Sequence, residues 1–250
     1  MSSKKSATRT VSLVIPCYNE SGNAEVLVSR AIEATKAAEQ LDIIFVDNGS
    51  KDDTYEKLEA LIAGKERLKL VQVEKNVGYG HGIKHGLKFS TGEVVGWTHA
   101  DMQTDPFDAV RAMEGFPPRS KLFISKGARF GRPISDRIFT FGMSVFETLL
   151  FRQQLKDINA QPTLFSREIL DVVLQGPDDF SLDLFALIVA NKKGLTEYRF
   201  PVKFGPRFSG ESKWNTSQSA RIRFIRRTIS FSLSLAKRRW PDADRPAQSK

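Results

Sequence analysis

The sequence predicts an α/β fold, a mostly parallel sheet flanked by helices, with a basic helix toward the C-terminal end. Short apolar runs alternate with helix-like segments between residues 11 and 98, three of these runs end in clusters of polar residues, and positive charge concentrates after residue 198. Strands that alternate with helical segments pair in parallel, because each crossover helix packs back onto the sheet.

The elements are predicted in chain order from periodicity and turn residues. Four apolar runs have the length of buried strands, at residues 11–16, 42–46, 68–73 and 94–98. Helical composition follows the first three, at residues 23–40, 53–63 and after Gly80. The alternation breaks after about residue 120. Beyond it we predict helices at 138–150 and 182–192, an irregular stretch at 157–165, a strand at 195–204 and a loop at 205–217.

Composition excludes several classes of protein. The chain has 250 residues, of which 40% are hydrophobic and 27% charged, as in an ordinary globular domain. Its single cysteine, Cys17, excludes an internal disulfide and a cysteine-rich zinc site. The longest apolar run has seven residues, 184–190, whereas a membrane span needs about 20. The apolar stretch near the N-terminus is also too short for a signal peptide, so we expect a cytoplasmic protein.

The net charge of +9 is unevenly distributed. Residues 199–239 contain eleven basic residues and one acid, Glu211, a net charge of +10 that leaves about −1 for the rest of the chain. Such a segment suits an anionic partner: a phosphorylated lipid, a membrane face or nucleic acid. The alternative is a solvated basic face.

Polar clusters follow three of the predicted strands, at residues 17–20, 47–50 and 99–103. In open parallel sheets, ligands bind outside the carboxyl ends of the strands. Asp101 and Gln103 offer oxygen ligands of the kind that Mg²⁺ or Mn²⁺ prefers. The alternative is a turn that only caps the next helix. Asp47 and Asn48 could contact a nucleotide base or ribose, or form an Asx-type turn.

Residues 76–82 form a glycine-rich turn into a helix, which permits close approach of the backbone to a ligand. The turn lacks the Gly-Lys-Ser/Thr ending of a P-loop and the third glycine of a dinucleotide-binding loop. Arginines at 129, 132 and 137, and Arg207 with Lys213, could bind phosphate or form surface salt bridges. The three histidines do not have a zinc-binding spacing.

Four of these motifs in order resemble family 2 glycosyltransferases with the GT-A (Rossmann-like) fold. They are the segments 14–20, 46–52, 76–78 and 100–103, and the resemblance covers about residues 10–215. It is strongest toward the dolichol-phosphate or polyprenyl-phosphate hexosyltransferases, whose acceptor loop is similar to residues 207–213. The expected organisation is a flexible N-terminus (1–10), a GT-A domain (11–217), a basic amphipathic helix (218–239) and a disordered tail (240–250).

The resemblance implies a role for each matching residue. The residues implied to bind the nucleotide sugar are Pro16, Tyr18, Glu20, Asp47, Asn48, Asn76, Gly78, His99 and Ala100. Asp101 is implied to bind Mg²⁺ or Mn²⁺, with Gln103 as a second ligand. The residues implied to hold donor and acceptor phosphates are Arg129, Arg137, Arg207, Ser212 and Lys213.

Two features depart from the family pattern. His99 stands where the family usually has an aspartate, and a histidine cannot replace a carboxylate toward Mg²⁺, although it could donate to a ribose or phosphate oxygen. The sequence also lacks the transmembrane helices of many relatives. Its basic stretch 221–236 has apolar residues at helical spacing, so it would either lie on an anionic membrane, at the inner face of the cytoplasmic membrane, or pack on the domain.

The implied reaction is inverting transfer of a hexosyl group from a UDP- or GDP-sugar to a polyprenyl phosphate. A phosphate acceptor is already ionised and needs no base. The alternative acceptor is a sugar hydroxyl in cell-envelope polysaccharide or lipopolysaccharide synthesis, which needs a base such as Asp179 or Asp157. The acids of 178–183 could instead stabilise a helix N-terminus. A non-catalytic basic binding module remains a more remote alternative, and we expect no nucleic-acid partner.

Overall fold

The computed structural model describes residues 9–131, 134–206, 208 and 218–237, without the side chains of 134–139 and 218–224. These residues form a seven-stranded sheet. Its strands are β1 (Val11–Cys17), β2 (Leu41–Asp47), β3 (Leu68–Gln72), β4 (Val94–Trp97), β5 (Phe123–Phe130), β6 (Thr163–Ser166) and β7 (Thr196–Lys203). The helices are α1 (Ala24–Ala37), α2 (Thr54–Ile62), α3 (Tyr79–Leu87), α4 (Asp108–Glu114), α5 (Ile134–Phe151), α6 (Leu170–Val173), α7 (Leu182–Lys192) and α8 (Gln218–Lys237).

The sheet has the strand order β3-β2-β1-β4-β6-β5-β7. Strands β1 to β4 are parallel, β6 runs antiparallel to both β4 and β5, and β7 pairs parallel to β5. After β1 the chain continues to β2 and β3 on one side and then returns to β4 on the other. The order therefore reverses between β1 and β4, and the carboxyl ends of these two strands flank the crevice where such sheets bind ligands.

Two hydrophobic clusters cover the two faces of the sheet. One contains side chains of α1, α2 and α4, together with alternate residues of β1 such as Leu13 and Ile15. The other contains α3, α6 and α7, with Val14 of β1 and Leu235 of α8. Because both faces are covered, the central strands are buried along their length, which explains their continuous apolar sequences.

The predicted strands at 11–16, 42–46, 68–73, 94–98 and 195–204 are confirmed within two residues at each end, as is the helix at 182–192. Strands β5 and β6 were not predicted, and β6 overlaps the end of the stretch 157–165 that we expected to be irregular. Strand β5 carries Lys126, which is 0% exposed and donates to Thr163 Oγ1 (2.5 Å) and Asp183 Oδ1 (3.1 Å). Burial lowers the pKa of Lys126. A buried charge paired in this way breaks the apolar pattern on which strand prediction depends.

The N-terminal end of the described chain is bonded to the domain. Arg9 and Thr10 were assigned to a flexible N-terminus, yet Arg9 Nη2 donates to the carbonyls of Pro118 (2.8 Å) and Lys121 (2.9 Å). The predicted helix at 218–239 corresponds to α8. The expectations for 1–8, for most of 207–217 and for 240–250 lie outside the described residues. No helix in the described part of the chain combines the length and apolar character needed to cross a membrane.

Candidate active site

Hydrogen bonds join the loops that follow β1 and β2. Asn19 N–H donates to Ser50 Oγ (3.1 Å), and Lys51 N–H donates to Asn19 Oδ1 (2.8 Å). Asn19 has a positive φ of 54°, which asparagine tolerates better than most residues. Glu20 N–H donates to Thr54 Oγ1 (2.9 Å). The predicted nucleotide-binding residues Pro16, Tyr18 and Glu20 are half-buried where β1 ends, and the backbone of Glu20 is held by Thr54 at the start of α2.

Asp47 is buried at the end of β2, and both of its carboxylate oxygens accept hydrogen bonds. Oδ1 accepts from Ser50 N–H (3.2 Å) and Oδ2 from Gln72 Nε2 (3.2 Å). These bonds correspond to the turn that the sequence allowed as the alternative to base binding. The carboxylate therefore shapes the loop, and its contact with a nucleotide stays a prediction.

Asn48 holds the glycine-rich turn in place. Its side chain is buried, and Nδ2 donates to the carbonyl of Gly78 (3.0 Å). A Cβ on Gly82 would lie 2.7 Å from Asn48 Cγ. A Cβ on Gly49, in the loop after β2, would come within 2.6 Å of Asn76 N. The loop after β2 thus contacts the glycine-rich turn through Asn48 and Gly49.

The glycine-rich turn lies directly against residues 177–179. A Cβ on Gly78, where φ is 154°, would lie 2.2 Å from the carbonyl oxygen of Asp178. A Cβ on Gly80 would lie 2.5 Å from the carbonyl oxygen of Pro177, and His81 N–H donates to Asp178 O (3.0 Å). We predicted that these glycines admit a ligand. The structure instead assigns their close approach to the backbone that precedes α7.

Asp101 follows β4 on the other side of the crevice and is 5% exposed. Its Oδ1 accepts from Gln103 N–H (3.2 Å), and Met102 between them has a positive φ of 58°. Gln103 is bonded twice to Gly205: Gly205 N–H donates to Gln103 O (3.0 Å), and Gln103 Nε2 donates to Gly205 O (3.3 Å). Two residues after Gly205 the sequence reaches Arg207.

The donor set around Asp101 suits a divalent cation that is shared with a ligand. No group of three or more histidine, cysteine, aspartate or glutamate side chains is placed to hold a metal in the described part of the chain. Asp101 supplies a carboxylate, and because Gln103 Nε2 bonds to Gly205, its amide oxygen is the atom left to act as a ligand. One carboxylate and a few neutral oxygens, completed by phosphate oxygens, are typical of Mg²⁺ sites. The residues present therefore fit such an ion.

An aromatic series connects the end of β4 to α8. The ring of His99 meets Tyr79 edge-on at 5.4 Å, and Tyr79 stacks on Phe180 at 4.7 Å. The guanidinium of Arg227 lies 5.9 Å from the Phe180 ring. Burial of its hydroxyl raises the pKa of Tyr79 well above 10, so this residue is neutral. The loop before α7 is thereby fastened between the crevice and α8.

Arg129 and Asp157 are bound to each other. Arg129 N–H donates to Asp157 Oδ2 (3.0 Å) and Nε donates to Oδ1 (2.9 Å), while Nη2 also reaches Oδ1. Both side chains are mostly buried, and the guanidinium lies over the ring of Phe204. This geometry argues against two expectations: Asp157 is poorly placed to act as a base, and Arg129 is already paired with a carboxylate rather than waiting for a phosphate.

The two acids before α7 differ in their surroundings. Asp178 pairs with Lys84 Nζ at 2.9 Å. Asp179 Oδ1 accepts from Ser181 N–H (2.9 Å), and its side chain borders a cavity between α5, α8 and the start of α7. Asp179 thus accepts a hydrogen bond near the start of α7, as predicted for the acids of this segment, and it also lines the cavity. Arg207, Ser212, Lys213 and the side chain of Arg137 lie outside the described residues.

The cavity has a volume of about 80 Å³ and includes residues that the sequence did not single out. Besides Arg129 and Asp179, its walls include Glu147 of α5, Phe180 and Arg227 of α8. The sequence did hold a signal for Glu147, because it is the only acid among residues 137–151. No pattern predicted that α5 and α8 would meet there, since 80 residues separate Glu147 from Arg227.

Comparison with known proteins shows similarity to glycosyltransferases. Residues 12–115 match the model of glycosyl transferase family 2. A dolichol-phosphate mannosyltransferase of Pyrococcus furiosus is 28% identical over 211 residues, which cover 81% of this chain and 58% of the relative. The chain likewise spans 65% of the length of an uncharacterised glycosyltransferase of Synechocystis. The chain is thus shorter than the curated relatives that it matches.

Two solved structures share the fold. A mannosyltransferase of Pyrobaculum calidifontis in complex with GDP-Man and Mn²⁺ has a TM-score of 0.61 and 20% identity, over 94% of this chain and 66% of that one. Glucosyl-3-phosphoglycerate synthase of Mycobacterium tuberculosis, in complex with Mn²⁺, UDP-Glc and phosphoglyceric acid, has a TM-score of 0.67 and 17% identity, over 94% and 82%. The shared architecture shows that the chain has the GT-A fold, and its residues 12–115 are similar to glycosyl transferase family 2.

Proposed function

We propose that this protein transfers a hexosyl group from a nucleoside-diphosphate sugar to a polyprenyl phosphate, with inversion at the sugar carbon. The observation that carries the proposal is the double hydrogen bond between Gln103 and Gly205. These bonds join Gly205, two residues before Arg207 in the basic segment, to the loop that carries Asp101. A basic segment that passes the predicted diphosphate site suits an acceptor that is itself a phosphate.

The donor would lie in the crevice between the ends of β1 and β4. Pro16, Tyr18 and Glu20 form one wall, with Asp47 shaping the loop beneath them, and Asp101 lies on the other. The neighbouring structures with GDP-Man and UDP-Glc support a nucleotide sugar of either base. His99 would donate to a ribose or phosphate oxygen, since its ring is held against Tyr79.

Asp101 and the amide oxygen of Gln103 would hold Mg²⁺ or Mn²⁺. When bound, the ion supplies positive charge that stabilises the departing diphosphate. The side chains and loops of the protein bind the two substrates. The loops after β1, β2 and β4 orient the donor, and the basic residues after Gly205 position the acceptor. The phosphate attacks without a base because it is already ionised at neutral pH.

A second candidate function is transfer to a sugar hydroxyl. The observation in its favour is that Asp179 lies on the cavity wall near the glycine-rich turn, where it could accept the hydroxyl proton. Replacing Asp179 by Asn should abolish transfer to a sugar hydroxyl. It should leave transfer to a lipid phosphate within a few-fold of wild type, because that reaction needs no proton acceptor.

Binding at an anionic membrane, at its cytoplasmic face, completes the proposal. Helix α5 exposes Phe141 (70%), Val145 and Leu149 (75%) at intervals of four residues, so they share one helix face. Helix α8, which packs beside α5, exposes Leu233 and Lys237. Apolar side chains beside cations are typical of helices that lie in a membrane interface. Sedimentation with phosphatidylcholine vesicles, with and without about 30% phosphatidylglycerol, tests binding to the membrane. The double variant Phe141→Ser, Leu149→Ser should bind more weakly than wild type.

The direct test of the proposed function is a transfer assay in neutral detergent. Labelled UDP-Glc and GDP-Man would be incubated with undecaprenyl phosphate, dolichyl phosphate, the unphosphorylated alcohols or an oligosaccharide. We expect label in a polyprenyl-phosphate product and none with the alcohols. Labelling of the oligosaccharide alone, with loss in Asp179→Asn, would replace this proposal by the second candidate.

A further inference from the structure

Glu147 is a buried carboxyl group with one oxygen unsatisfied. It is 1% exposed and belongs to α5. Its Oε1 accepts a hydrogen bond from Ser232 Oγ of α8 at 2.5 Å. Its Oε2 is buried and has no hydrogen-bond partner among the described residues. Buried polar atoms are almost always partnered in native proteins, so an unpartnered one that lines a cavity indicates a missing ligand or water.

The charged side chains that line the cavity come from different elements of the fold. Arg129 comes from β5 and is paired with Asp157, Asp179 comes from the loop before α7, and Arg227 comes from α8. The remaining walls are largely apolar, with Met143, Ile158, Leu184 and Phe231. The cavity thus combines a cation, a buried carboxyl group and an apolar lining, and it adjoins the aromatic series that leads to the crevice.

The protonation of Glu147 decides what the cavity can bind. Burial raises the pKa of this carboxyl to about 7, although the Ser232 hydroxyl acts in the opposite direction. Near neutral pH a large fraction of the molecules therefore carry the proton. Ser232 Oγ lies within hydrogen-bond distance of both Glu147 Oε1 (2.5 Å) and Thr228 O (2.9 Å), and its single hydrogen can serve only one of them. When that hydrogen goes to Oε1, the proton of Glu147 lies on Oε2, where it can be donated into the cavity.

We propose that the cavity binds the phosphate end of the acceptor, with protonated Glu147 donating from Oε2 to a phosphate oxygen and Arg227 supplying positive charge. This inference rests on the proposed function, since it names the place of the lipid phosphate. The ionised carboxylate would repel the phosphate, so binding requires the proton. The apolar walls suit the first carbons of the isoprenoid chain.

The test is the KM for undecaprenyl phosphate from pH 6 to 8.5, in wild type and in Glu147→Gln, in neutral detergent. In wild type the acceptor KM should rise by about tenfold or more as Glu147 loses its proton. In Glu147→Gln, which keeps an uncharged donor, it should stay low across the range. Ionisation of the acceptor phosphate affects both proteins equally, and the donor KM serves as the internal control.

Two further variants keep the test decisive if Glu147→Gln does not fold. Ser232→Ala removes the hydrogen bond that lowers the pKa of Glu147, so the rise in acceptor KM should move to higher pH. Arg227→Gln should raise the acceptor KM at every pH and leave the donor KM unchanged. Arg226→Gln, on the same helix but outside the cavity lining, is the matched control.

Three results would overturn the inference. An equal pH dependence in wild type and Glu147→Gln means that Oε2 serves only a buried water. Equal effects of Arg226→Gln and Arg227→Gln mean that the cavity holds no phosphate. In both cases transfer to polyprenyl phosphate by wild type leaves the proposed function standing. Absence of that transfer in wild type overturns the proposed function together with this inference.

Discussion

Arg129 donates from its backbone and from its guanidinium to the two carboxylate oxygens of Asp157, joining β5 to the segment that precedes β6. Asp157 has a positive φ of 40°, and its carbonyl accepts from Arg199 Nη1 at 3.3 Å. This contact network positions the backbone beneath the cavity. It favours a structural role for Asp157 over the predicted role as a base.

The first prediction concerns this ion pair. Asp157→Ala should lower the free energy of unfolding by about 3 kcal/mol, because it leaves a mostly buried guanidinium without its partner. Urea denaturation would measure the loss. Asp53→Ala, which removes an exposed pair with Lys57, should cost far less, because water screens that pair. The kcat of Asp157→Ala should stay within a few-fold of wild type, and loss of turnover in a folded protein would restore Asp157 as a candidate base.

The second prediction concerns the glycine-rich turn. Gly78→Ala should destabilise the fold by about 3 kcal/mol or more, because the new Cβ would collide with Asp178 O at 2.2 Å and φ is unfavourable. Gly64→Ala is the matched control: its φ is also positive, at 71°, but nothing lies within 4 Å of the new Cβ. It should cost only about 1 kcal/mol. Equal losses in the two variants would mean that the turn does not contact residues 177–179.

The third prediction concerns pH and stability. Burial raises the pKa of the Glu147 carboxyl from its ordinary value of 4.5 to about 7 in the folded protein. Between these values the unfolded chain releases the proton first, so the free energy of unfolding should fall as pH rises from about 4.5 to 7, by roughly 3 kcal/mol, and level off above 7. Glu147→Gln should remove this part of the pH dependence. The free energy of unfolding would be measured at closely spaced pH values in both proteins. If wild type and Glu147→Gln show the same dependence on pH, the prediction is wrong.

The fourth prediction concerns Cys17. Burial, Glu20 and Asp47 all raise the pKa of this thiol, so the native protein holds almost no thiolate. A thiol reagent such as DTNB at pH 8 should react slowly with the folded protein and rapidly with the protein unfolded in about 6 M urea. Fast reaction in the folded state would show that the loop after β1 opens readily.

Strands β1 and β2 were predictable because both faces of the sheet are covered there. Residues 11–16 and 42–46 are continuous apolar runs, and each ends in polar residues that form a loop. Strand β5 was missed because its buried Lys126 is compensated by Asp183, 57 residues later, and no local pattern reveals such a pair.

The candidate site was predictable only in part. The expectation that polar clusters at strand ends gather at one edge follows from parallel pairing of β1 with β2 and β4. What each side chain does there depends on contacts between distant segments. Gly78 approaches Asp178, and Glu147 bonds to Ser232, across about 100 and 85 residues of chain. Such contacts come from packing of whole elements, which residue types and spacing do not specify.

The most direct test of the central claim is calorimetric titration of UDP and GDP into the protein, each with and without Mn²⁺. We expect one nucleotide to bind at least about tenfold more tightly with the ion, and that gain to vanish in Asp101→Ala. Asp42→Ala, at the amino end of β2 on the opposite edge of the sheet, should bind like wild type. Binding of neither nucleotide, or binding that is indifferent to both Mn²⁺ and Asp101, would contradict a metal-assisted transferase that uses this crevice.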